Sequence, residues 1–202
     1  INQQKDGKWK YFNDKNVLLS EENYKLGKKN GAFVTYSVEG YKLKEEMYAN
    51  DQLNGECKSY YEKEELFTVS HYINGKLNGE MVTYYPGKIP SQKGLYYNGL
   101  RTGAWEVYDS KGQIRITEEY DKNGHLLKKY IYLYANEHPQ KINQNLIAYF
   151  QKKGETKTVA ILKNGNKIEA TESLTTIVQW LDMLEFVKIT PKLYAKISYV
   201  RG

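Results

Sequence analysis

Between residues 7 and about 127, apolar and polar positions do not follow a helical spacing. β-Branched and aromatic residues alternate with Lys and Glu, as at Thr83-Tyr84 and Ile114-Arg115-Ile116, and glycine interrupts at about every dozen residues. The alternation has a larger period. Gly7, Gly31, Gly55, Gly79 and Gly103 stand 24 residues apart. Two residues after each comes Trp9, Phe33, Cys57, Met81 or Trp105, and three further on Phe12, Tyr36, Tyr60, Tyr84 or Tyr108. A fourth column holds Tyr24, Tyr48, Tyr72, Tyr96 and Tyr120. Four columns in register through five units define a repeat.

A block of 24 residues is too short for a core of its own but fits two strands and two tight turns. Asn74-Gly75, Asn98-Gly99 and Asn123-Gly124 supply hairpin dipeptides. The glycine column supplies positive φ or close backbone approach. Each unit must then bury its aromatic columns against its neighbours. The expected fold is mainly β: an antiparallel array of hairpins over residues 1–134, elongated to about 50 Å at two strands per unit. Leu127 replaces the sixth glycine while Tyr132 keeps the aromatic column, so the array ends in a degenerate cap near residues 128–134.

Gly79-Glu80-Met81-Val82-Thr83-Tyr84-Tyr85 and Tyr72-Ile73-Asn74-Gly75-Lys76-Leu77-Asn78-Gly79 resemble the MORN repeat family. The likeness is to the bacterial variant of YwqK-like, antitoxin-labelled proteins, with its Gly-x-Trp-x-x-Tyr and Tyr-x-Asn-Gly patterns. It covers residues 7–127. It implies a protein-interaction or membrane-associated module and, through the antitoxin label, a toxin partner.

Residues 135–145 read as a polar linker and residues 146–202 as a small α+β domain. Strands are expected at 146–151 and 156–162, with a turn at Asn164-Gly165. A helix capped by Thr171 or Ser173 runs to about Leu184, with Leu174, Ile177, Val178, Leu181 and Leu184 on one face. Phe186-Val187-Lys188-Ile189 and Ile197-Ser198-Tyr199-Val200 resemble a LytTR-type DNA-binding domain. That family's polar His-Arg-Ser and Asn positions fall here on Thr190, Pro191, Lys192 and Lys196. A nucleic-acid role would rest on Lys188, Lys192 and Lys196.

Twenty tyrosines against five phenylalanines suit thin sheets whose rings are half wet. The net charge of +6 is uneven: 20 basic against 18 acidic residues in 1–132, and 10 against 6 in 133–202. Cys57 is alone, which excludes an intrachain disulfide, and it stands in a packing column. No apolar stretch approaches the roughly 20 residues that span a bilayer. The sequence starts at Ile1 without Met. A removed leader would mean export to the periplasm or surface, whereas a DNA-binding role would mean the cytoplasm.

Candidate chemistry is sparse. His71, His125 and His138 have no metal-ligand spacing, and the pairs Glu21-Glu22, Glu45-Glu46, Glu64-Glu65 and Glu118-Glu119 recur as a ladder rather than a catalytic dyad. No catalytic residue, metal or cofactor is expected. Tyr61 and Tyr85 each follow a column tyrosine and so should point to the opposite face. With Tyr97 they form a candidate ridge for a protein partner. The sequence thus predicts a non-enzymatic interaction or scaffold module. Its alternative is a transcriptional regulator whose repeats sense or dimerise.

Overall fold

A computed structural model of the chain describes residues 4–135, 138–179, 181, 186–190 and 192–196. The fold is mainly β and antiparallel, and it divides into two compact units. Residues 1–113 with 120–125 make the first, and residues 114–119 with 126–202 the second.

The first unit contains β1 (Gly7–Phe12), β2 (Leu18–Lys25), β3 (Lys28–Lys29), β4 (Gly31–Tyr36), β5 (Lys42–Ala49) and β6 (Gln52–Leu53). It continues through β7 (Gly55–Tyr60), β8 (Leu66–Ile73), β9 (Lys76–Tyr85), β10 (Ile89–Tyr97) and β11 (Leu100–Tyr108). Their order in the sheet is β1-β2-β4-β5-β7-β8-β9-β10-β11, with β3 and β6 as short additions to β2 and β5. The glycine column lies opposite the tyrosine column: Gly7 pairs with Tyr24, Gly31 with Tyr48, Gly55 with Tyr72 and Gly79 with Tyr96. At Gly31, Gly55 and Gly79 a side chain would crowd the neighbouring strand, whereas Gly7 and Gly103 have open space. A Cβ on Gly55, whose φ is +123°, would lie 3.1 Å from the Cβ of Met47.

Two kinds of turn join the strands. Leu26-Gly27, Asn50-Asp51, Asn74-Gly75 and Asn98-Gly99 have positive φ at both residues, the conformation that matches strand twist in two-residue hairpins. The residue after each aromatic strand starts the other kind. Asn13, Ser37 and Asp109 each accept two backbone N–H bonds on one side-chain oxygen. Asn123-Gly124, expected as a two-residue hairpin, belongs to this second kind: Asp121 Oδ1 accepts from the N–H of Asn123 and His125.

Backbone bonds also tie successive hairpins. Gly27 N–H donates to Lys5 O, Asp51 to Lys29, Gly75 to Leu53 and Gly99 to Leu77, at 2.8 to 3.0 Å. Yet little is fully buried. Phe33, Cys57 and Trp105 are the buried apolar side chains described in this unit.

The second unit differs. Strands β12 (Ile114–Tyr120), β13 (Leu126–Ala135) and β14 (His138–Asn143) lie side by side. A second sheet has the order β17-β16-β15-β19-β18, from β15 (Ile147–Lys153), β16 (Lys157–Leu162), β17 (Lys167–Ala170), β18 (Phe186–Thr190) and β19 (Leu193–Lys196). The core joins Ile131, Leu133, Ile142, Ile147, Phe150 and Ile177.

Two expectations change here. The stretch read as a linker contains β14, paired with β13 from Tyr130↔Asn143 to Ala135↔His138. Its polar residues are those of an edge strand, with Ile142 buried. The helix is short: α1 covers Leu174–Val178, capped by Ser173 Oγ on Thr176 N–H at 3.2 Å. Four β-branched residues in a row, Thr175 to Val178, lose rotamer freedom in a helix and weaken its extension. Leu184, its expected end, lies outside the described residues.

Candidate binding surface

The first unit's aromatic columns build one face of its sheet. Phe33 stands edge-on between Tyr24 (centroids 5.4 Å apart) and Tyr48 (4.9 Å), and Trp105 meets Tyr96 at 5.0 Å. The Trp105 indole lies over Gly94 and leaves no room there for a Cβ. The tyrosine hydroxyls turn to carboxylates: Tyr24 donates to Glu22 at 2.6 Å and Tyr48 to Glu46 at 3.1 Å, and Tyr108 donates to Glu106. Burial, together with the charge and hydrogen bond of Glu46, pushes the Tyr48 hydroxyl up to about 12.

A fifth column escaped the sequence reading. Lys5 Nζ sits 5.5 Å from the Trp9 ring and 4.6 Å from Tyr24. Lys29 is 4.9 Å from Phe33 and 4.7 Å from Tyr48, and the Arg101 guanidinium is 4.2 Å from Trp105. Four residues before Cys57 and Met81, where no ring is present, stand Leu53 and Leu77. A cation is found where the column is aromatic and an aliphatic where it is not, as cation–π attraction requires. The signal was in the sequence, at a fixed spacing of four.

At Cys57 and Ser70 the face is hollowed. A cavity of about 210 Å³ is lined by Lys44, Glu46, Ser59, Thr68, Tyr72 and Met81 among others. Burial raises the Cys57 thiol, in keeping with its place in the packing column.

The recurring glutamate pairs split across the sheet. Glu21 bridges Lys8 and Lys10 at 3.1 and 2.9 Å, whereas Glu22 accepts from Tyr24. Glu45 pairs with Lys42, whereas Glu46 takes Tyr48. Adjacent strand residues face opposite ways, so neither of these two pairs converges on a common point. His71 faces Glu80 O at 3.1 Å, and His125 faces Asp121 at 3.1 Å. Among the described residues no group of three metal-binding side chains occurs, and no helix is long and apolar enough to cross a membrane.

The three tyrosines singled out from sequence differ in exposure. Tyr61 and Tyr85 are half-buried, and each donates its hydroxyl to a column tyrosine's carbonyl on the next hairpin: Tyr61 to Tyr84 O at 2.8 Å, Tyr85 to Tyr108 O at 3.0 Å. Both occupy the turn column held elsewhere by Asn13, Ser37 and Asp109, and they tie hairpins where those residues tie turns. The two rings are thus half-buried links between hairpins rather than freely projecting side chains. Tyr97 remains, 57% exposed, opposite Leu100 in the sheet. Ile73, one hairpin earlier, and Leu95 are exposed as well.

In the second unit, Lys192 is exposed. Lys188 stands on β18 and Lys196 on β19, and their side chains lie outside the described residues. Sequence reasoning also missed Arg115 and Glu172. They form an ion pair with both side chains under a tenth exposed. Both Glu172 oxygens accept from Tyr134 N–H at 3.2 Å, and the Arg115 guanidinium lies 4.3 Å from the Tyr134 ring. Thr171 N–H and hydroxyl donate to Tyr134 O, each at 2.8 Å.

No family model and no curated protein matches the sequence. Among solved structures, the chain is similar to a GtfA/B complex bound to UDP and GlcNAc, at 11% identity and a TM-score of 0.24 over 75% of this chain. A second is a mutant of S. aureus TarM in complex with fondaparinux, α-GlcNAc-glycerol and UDP, at 13% identity and a TM-score of 0.20 over 69%. The matches cover 24% and 22% of those chains, and likeness at that level carries no argument.

Proposed function

We propose that the chain is a non-enzymatic binding array: 24-residue hairpin repeats over residues 7–127 hold a protein partner, and residues 146–202 form an accompanying small α+β domain. The observation that carries this reading is the set of four backbone bonds from Gly27, Asp51, Gly75 and Gly99, each reaching 22 residues back and each 24 residues from the next. Joints at a constant interval repeat the surface between them, and repeated surfaces of this kind serve recognition. The exposed apolar side chains Leu95, Tyr97 and Leu100 lie together on β10 and β11, and Ile73 holds the place of Tyr97 one block earlier. Such a patch on a polar surface supports docking of a partner.

Affinity capture from the source cells tests the reading. Wild-type chain should retain a partner that Tyr97→Ala/Leu100→Ala loses by more than about tenfold, as for anchor residues of an interface. The same partner held equally by both chains would sink it.

A further inference from the structure

The pattern of the ring face is broken twice over in its third block, residues 55–78. Across the strand pairs Trp9 lies opposite Glu22 and Phe33 opposite Glu46, whereas the same place in the third block holds Cys57 opposite Ser70. A ring and a carboxylate have both given way to small side chains. The cation column changes with them, since Leu53 stands where Lys5 and Lys29 stand. One block later Met81 lies opposite Gly94, but there the Trp105 indole lies over the glycine and takes up the space. In the third block the space stays open, as the cavity of about 210 Å³ at Cys57 and Ser70.

The neighbouring blocks specify what such a space would take. The Tyr24 and Tyr48 hydroxyls donate to Glu22 and Glu46, whereas the Tyr72 hydroxyl, in the wall of the cavity, has the Ser70 side chain in that place. The charges on the wall are Lys44, Lys58 and Glu46. Lys58 is held by Glu56 at 2.7 Å and Glu46 by the Tyr48 hydroxyl at 3.1 Å, which leaves Lys44 to meet an anion. The volume suits one ring, since an apolar cavity of about 150 Å³ takes up benzene. Paired strand residues lie about 4.5–5.5 Å apart at Cα, so one molecule with a short chain between ring and carboxylate spans both vacated places.

We propose that this hollow binds a small aromatic acid, its ring beside Cys57 and Met81 in the place of a column ring, its carboxylate at Ser70 in the place of the glutamate, accepting from the Tyr72 hydroxyl and facing Lys44. The site goes beyond partner binding at the Tyr97 patch and does not rest on it, so each fails separately.

The probe is hydrocinnamate, a benzene ring with a carboxylate on a short alkyl chain, titrated into the full ¹⁵N-labelled chain. Half-saturation is expected at about 1 mM for so few atoms, with shifts at the amides of Cys57, Ser70, Tyr72 and Met81. Cys57→Phe puts a ring of the chain's own into the space. It should weaken binding more than about tenfold and raise the melting temperature, as filling a cavity does. Ser70→Glu should weaken the acid about tenfold but hydrocinnamyl alcohol less than about threefold, because the restored carboxylate repels the ligand's. Lys44→Met should weaken the acid about threefold and leave the alcohol unchanged. Undisturbed Cys57 and Ser70 amides at about 10 mM acid overturn the proposal. Folded Cys57→Phe that binds like wild type overturns it as well, and so does equal affinity for acid and alcohol in wild type and Ser70→Glu alike. A short peptide ending in phenylalanine that binds about tenfold tighter than the acid assigns the hollow to a partner's chain end and overturns the small-acid reading.

Discussion

The two units are held together differently. In residues 114–119 and 126–202, Ile131, Leu133, Ile147, Phe150 and Ile177 are fully enclosed, and distant segments meet in one core. Among the described residues of 1–113 three apolar side chains are buried, and rings, cations and carboxylates interlock along a sheet face instead. Stability in the second unit is concentrated in a few side chains, whereas in the first it is divided among repeated small terms. That contrast can be broken in several places.

The largest effect should come from Phe150→Ala, at about 3–5 kcal/mol for a fully buried ring. Hydrogen exchange should show protection lost across β15 and β16 and kept across β4 and β5. Uniform loss would mean that the two units unfold as one. Glu172→Ala comes next, at about 3 kcal/mol, because it breaks a buried ion pair with Arg115 and takes the carboxylate from Tyr134 N–H. The urea midpoint reads it directly, and a change as small as that of a surface ion pair would show the pair to be wet.

Within the first unit, Phe33→Ala should cost about 3 kcal/mol and Trp9→Ala under about 1 kcal/mol, although they share a column. Equal costs in denaturant melts would deny that β1 is exposed. Smaller still is Lys29→Leu, about 0.5–1 kcal/mol from lost cation–π attraction. Placed on Phe33→Met, the same change should cost less, since only the Tyr48 ring then remains to the cation. A double-mutant cycle with no coupling would make the cation column accidental.

The smallest effect is acidic. Hydrogen bonds from Lys10 and Lys8 lower the Glu21 carboxyl, and one from Lys42 lowers Glu45, both below the ordinary 4.5. A lowered folded value stabilises above pH 4.5, and that contribution is lost as pH falls through the folded values. The melting temperature of the first unit should therefore slip modestly below pH 4.5, and less so in high salt. A melting temperature that holds steady or rises over that window would deny these carboxylates any net contribution.

What was legible follows from the same contrast. The glycine and tyrosine columns could be read because their partners are 17 residues apart and recur, so Gly31 meets Tyr48 as Gly55 meets Tyr72. Faces were less legible. Counting by twos placed Tyr61 outward, but the pairing slips between Ser59 and Tyr60, and the chain turns into Glu62–Glu64 directly after Tyr61. A bulge of this kind resets the alternation without leaving a mark in composition. Polarity alone could not tell β14 from a linker, because an edge strand is also polar. Arg115 and Glu172 lie 57 residues apart, and nothing in either neighbourhood announces the other.

The joints from Gly27, Asp51, Gly75 and Gly99 have a bearing on how such a chain changes over generations. Each joint needs only the block before it, so an in-frame duplication or loss of one whole block between them re-forms every remaining joint without a new sequence. Insertion of any other length throws the columns out of register. Gain or loss of whole equivalent blocks is therefore tolerated, and length variation in this sheet should come in whole blocks.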